Sequence, residues 1–61
     1  MALIRLGKRS EAGQDVGVVW INPDNIVAVT AGARATEVQT ADAQTHWVKE
    51  TPEQIAALMK D

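Results

Sequence analysis

His46 is the only histidine in a chain of 61 residues that contains no cysteine, so the usual donors for metal and thiol chemistry are missing. Structural zinc takes four Cys or His ligands at set spacings, and nucleophilic catalysis needs a hydroxyl or thiol, a base and an orienting acid within reach of one another. Thr45 directly precedes His46, and in an extended segment neighbours point to opposite faces. Glu37 falls diagonal to His46 and offers a surface hydrogen bond rather than a catalytic dyad. The carboxylates Glu11, Asp15, Asp24, Asp42, Glu50, Glu53 and Asp61 are spread over turns and ends, so they form neither an acid–base pair nor an oxygen-ligand loop. Gly7, Gly13, Gly17 and Gly32 are isolated and build no phosphate cradle. The chain is expected to be no enzyme, with no catalytic residues, no metal and no cofactor.

Two other groups of side chains have a chemistry to offer. Arg5, Lys8, Arg9 and Arg34 would converge on phosphates if the first loop returns toward Gly32, giving a nucleic-acid-binding regulator. The ordinary reading is solvated charge that protects an edge strand from pairing. Six Lys and Arg against eight Asp and Glu leave a net charge of −2, which argues against non-specific nucleic-acid binding. Trp20 and Trp47 would stack bases if exposed on a sheet. Their valine neighbours favour a place in the core.

These residues are positioned by short segments. Asn22-Pro23-Asp24-Asn25, Gly32-Ala33 and Ala41-Asp42-Ala43-Gln44 carry turn chemistry. Between the turns lie strand-length runs at Leu3 to Leu6, Gly17 to Ile21, Ile26 to Ala31, Arg34 to Thr40 and Thr45 to Glu50, rich in Val, Ile, Thr and Trp. Residues 7–16 are either a loop with a disordered tip or part of a longer hairpin. Thr51 is a helix N-cap, Pro52 suits the first helical position and Gln54 completes a capping box, after which Ile55, Leu58 and Met59 share one face. The fold class that follows is mainly β (α+β): an antiparallel meander of four to five strands with one C-terminal α-helix packed on the sheet, as a single domain spanning residues 1–61.

Centring the turns on Pro23-Asp24, Gly32-Ala33 and Asp42-Ala43 places Trp20, Val27, Val38 and Trp47 in one cross-strand row, with Val18, Val29 and Thr36 on the same face under the helix. The other face then shows Val19, Ile21, Ile26, Ala28 and Val48 beside Glu37, Gln39 and His46. Such an exposed apolar patch marks an interface, and Val19, Ile21, Ile26 and Val48 are the candidates for contact in a homo-oligomer. The alternative is that the N-terminal strand crosses that face.

A chain of this length buries only about 60% of its unfolded surface, which also favours self-association. No run approaches the roughly 20 apolar residues of a membrane span, and Met1 to Arg5 lacks the long apolar core of a signal peptide, so no membrane partner and a cytoplasmic location are expected.

The order of elements, together with Asn22-Pro23-Asp24-Asn25-Ile26 and Val48-Lys49-Glu50-Thr51 followed by Glu53, Gln54 and Ile55, resembles the small flagellar FlbD family, also called swarming motility proteins. The chain departs from that pattern by an insertion around Ser10 to Asp15 and by its two tryptophans. The resemblance implies a flagellar accessory role. The residues themselves point to a non-enzymatic, homo-oligomeric interaction module, an accessory or regulatory protein of a bacterium or phage whose protein partner they do not name.

Overall fold

The computed structural model describes residues 3–60, which form five strands and one α-helix. The strands are β1 (Ile4–Arg9), β2 (Asp15–Ile21), β3 (Ile26–Ala31), β4 (Thr36–Thr40) and β5 (Thr45–Val48), and helix α1 spans Pro52–Met59. All pairings are antiparallel, and the sheet order is β2-β1-β5-β4-β3. The antiparallel sheet with a terminal helix is the architecture that the turn and cap residues imply. The order is not that of a simple meander, because β1 lies inside the sheet, between its hairpin partner β2 and the last strand, β5, which is central.

Residues 7–16 are part of a longer hairpin rather than a loop with a disordered tip. Strand pairing runs out to Arg9↔Asp15, and the amide of Ser10 donates to the carbonyl of Gln14 at 2.7 Å, closing the loop. A register shift between Lys8 and Arg9 places a bulge near Gly17, whose φ of 129° only glycine adopts readily.

The corner at Asn22 explains why β2 and β3 do not pair. The Asn22 side chain accepts from the Asp24 amide at 3.0 Å, Pro23 sits at the first position, and Pro23–Asn25 form one turn of 3-10 helix. This geometry turns the chain out of the first hairpin instead of folding β3 back on β2. Trp20 and Val27 are therefore not neighbours. Trp20 is 58% exposed and Val27 65%, so the expected tryptophan row under the helix is not the core.

A second correction comes from the turn between β4 and β5. Thr40 pairs through its amide with the carbonyl of Gln44, and the Ala43 amide donates back to the Thr40 carbonyl, both at 3.0 Å. The loop thus has three residues, 41–43, with Ala43 in the left-handed region at φ 66°. One residue more than a two-residue turn shifts the register by one and exchanges the faces. Trp47 stands opposite Glu37 on the outer face, while Val48, opposite Thr36, is fully buried.

The core consists of Ile4, Leu6, Ile21, Val38, Val48 and Ile55, with Val19, Ile26 and Val29 packed against it. An extra residue at Val27 lets Ile26 and Val29 both face inward. Helix α1 covers this face. Its start is a complete capping box, with the Gln54 amide donating to the Thr51 hydroxyl at 3.1 Å and the Thr51 amide to the Gln54 side chain at 2.9 Å. Of the expected stripe only Ile55 is buried; Leu58 and Met59 remain exposed.

Candidate interaction surface

The four expected interface residues are part of the chain's own core. Ile21 and Val48 are buried, and Val19 and Ile26 pack against the cluster. The physical reason is the register: the face expected to be open is the one that β1 contributes Ile4 and Leu6 to and that α1 covers through Ile55. Val19, Ile21, Ile26 and Val48 thus hold the monomer together.

The outer face carries what the core does not. Because Arg5 pairs with Trp20 and Gly7 with Val18, these side chains lie on the side of the sheet away from Ile4 and Leu6. Val18 and Trp20 are exposed, as are Leu3 just ahead of β1 and Val16 at the bulge. The whole segment Val16–Ile21 is uncharged. Both of its faces are apolar, so alternation along β2 alone does not say which side is buried. The signal that does is in β1, where Ile4 and Leu6 alternate with Arg5 and Gly7 and mark the inner side.

The four basic residues are brought together only in part. Arg9 bonds Asp15 Oδ1 through Nε at 3.0 Å and donates from Nη1 to the carbonyl of Arg34, also at 3.0 Å. The first loop does return toward the Gly32 turn, since Gly13 lies against Arg34. Arg5 lies on the same face of β1 as Arg9, but Lys8 alternates to the other side. Asp15 neutralises the central guanidinium of the group.

His46 pairs with Val38 on the inner side of the sheet, whereas Glu37 pairs with Trp47 on the outer side, so the expected His46–Glu37 contact is not made. The one-residue slip at Ala43 separates them. His46 lines a cleft of about 170 Å³ with Trp20, Asn22, Thr40 and Asp42. In it Asp42 accepts from the Thr40 hydroxyl, and this bond holds its carboxyl below the usual range; desolvation opposes it, and the Gln44 amide and His46 add smaller help. Thr40 spends its proton on Asp42 and is itself buried, so it is no free nucleophile. Among the described residues no three His, Asp or Glu side chains gather where they could hold a metal ion, and no helix is long and apolar enough to cross a membrane.

A larger open groove of about 580 Å³ runs between α1 and the ends of β1 and β5, lined by Arg9, Lys49, Glu50, Gln54, Ala57 and Leu58. Most of its polar groups serve the fold. Glu50 bonds the Gly7 amide, Gln54 completes the capping box and Arg9 holds Asp15. Comparison of the chain with protein-family models, curated proteins and solved structures gives no match.

Proposed function

We propose that this protein is a non-enzymatic, homo-oligomeric interaction module that works through the outer face and free edge of β2. The observation that carries this reading is the exposure of Val16, Val18 and Trp20 on an edge strand without charged side chains beyond Asp15. Contiguous exposed apolar surface on so small a domain is the usual mark of an interface. The core residues Val19, Ile21, Ile26 and Val48 support the surface from behind and do not form it.

An accessory or regulatory role, for a bacterium or its phage, in the bacterial cytoplasm fits such a module. The residues shared with the FlbD family form the Asn22 turn and the Thr51 capping box, which build the fold. A flagellar accessory role therefore rests on the resemblance alone. Nucleic-acid binding by Arg5, Lys8, Arg9 and Arg34 is weaker than the apolar reading, because Arg9 is already paired with Asp15 and Lys8 lies on the other side of β1.

Light scattering on a sizing column across a dilution series tests the proposal. A discrete multimer is expected for the native chain, weakened by Trp20→Ser. A monomer at every concentration would sink the reading and turn attention to duplex RNA or DNA at low salt.

A further inference from the structure

We infer that two copies of the chain pair antiparallel along β2, with the two-fold axis at Val19, to make one continuous ten-stranded sheet. This rests on the self-association proposed above and specifies its geometry. Gly7 points its main chain away from β2: its carbonyl accepts from the Lys49 amide at 2.9 Å and its amide donates to Glu50 at 3.0 Å. In an antiparallel ladder, residues alternate between bonding one neighbour strand and the other. Val18, opposite Gly7, and Trp20, opposite Arg5, therefore point their own amides and carbonyls out of the sheet at the open edge of β2.

The residues whose main chain is open are also those whose side chains are exposed. A two-fold at Val19 sets Val18 of one copy against Trp20 of the next, twice, with each pair exchanging main-chain hydrogen bonds. It also puts an aromatic side chain beside a β-branched one on the outer face, the kind of cross-strand pair that stabilises sheets. The register keeps its hydrogen-bonded pairs clear of the Gly17 bulge. Edge strands are commonly guarded by lysine or proline, yet Val16 to Asn22 carries neither, so no like charges meet across the axis. The opposite edge, β3, is less suited, because helix α1 packs against it and Val27 is its only strongly exposed large apolar side chain.

A chain without cysteine makes the test direct. Across the axis the two Val19 residues form a non-hydrogen-bonded pair with Cα atoms about 4.5 Å apart, within disulfide range. Under mild oxidation Val19→Cys is expected to convert almost fully to a covalent dimer, while Val27→Cys on the other edge stays monomeric on a denaturing gel. Hydrogen exchange of the native chain gives a second reading: the amides of Val18 and Trp20 should gain protection as concentration rises. A multimer by light scattering in which Val19→Cys does not cross-link and those two amides exchange freely would overturn this pairing and leave self-association standing. A monomer at all concentrations would overturn both.

Discussion

Glu50 holds the amide of Gly7 with both carboxylate oxygens, at 3.0 and 3.2 Å, across 43 residues of sequence. Strand β5 ends at Val48, one step too early to pair this amide by main chain, and the Glu50 side chain takes the place of the missing carbonyl. The contact joins the first hairpin to the last strand just ahead of α1, and the Lys49 stem lies over Gly7 at the same point. Glu50→Ala leaves a partly buried amide without its partner and is expected to destabilise the fold by about 1–3 kcal/mol, while Glu50→Gln, which keeps one acceptor, loses less. Equilibrium denaturation in urea measures both, and equal losses for the two variants would count against the bond.

Ala43 is the only residue other than glycine with positive φ among the described residues, and its conformation sets the register of β5. The left-handed region costs an L-residue about 1–2 kcal/mol, partly offset in a glycine variant by the greater freedom of its unfolded chain. Ala43→Gly should therefore stabilise the protein by about 0.5–1 kcal/mol, read as a rise in melting temperature. Ala41→Gly in the same turn is the control and should not stabilise.

The same residue shows where the fold could be read from sequence and where it could not. The capping box at Thr51 and the Asn22 turn are local: each is satisfied by side chains within three residues, and each forms as its residue types imply. The strand register is not local. A left-handed alanine carries none of the signal that glycine or asparagine would, so the three-residue loop was hidden and Trp47 exchanged faces with Val48. An extra residue at Val27 and the break at Pro23 acted in the same way. Val29, Val38 and Thr36 kept their inward face because the β3–β4 register moved by two residues, which preserves the alternation. The candidate surface on β2 stayed illegible for the related reason that both its faces are apolar.

Ile55 is the single buried side chain of α1 and joins the helix to the core cluster that contains Val38 and Val48. A cavity-forming Ile→Ala change in a core costs about 2–5 kcal/mol. Total stability scales as roughly 0.05–0.15 kcal/mol per residue, so in a domain this small that loss approaches the whole. Ile55→Ala is expected to lose the cooperative thermal transition at neutral pH. Leu58→Ala, on the exposed side of the helix, should stay within about 0.5 kcal/mol of the native chain. A cooperative melt for Ile55→Ala close to the native temperature would mean that α1 does not close the core.

Acid should weaken the β4–β5 turn through Asp42. The Thr40 hydroxyl, with the Gln44 amide and His46 adding to it, lowers this carboxyl in the folded chain below its ordinary value of 3.8. A group lowered in this way contributes its stability above the unfolded value and loses it as pH falls through the folded one. The contribution is therefore present at neutral pH and fades below about pH 4. Asp42→Asn keeps an oxygen for the Thr40 proton but cannot titrate, so it should be less stable than the native chain at pH 6 and closer to it at pH 3. Melting curves of both proteins at the two pH values decide the matter: an unchanged gap would show that another carboxylate carries the acid sensitivity.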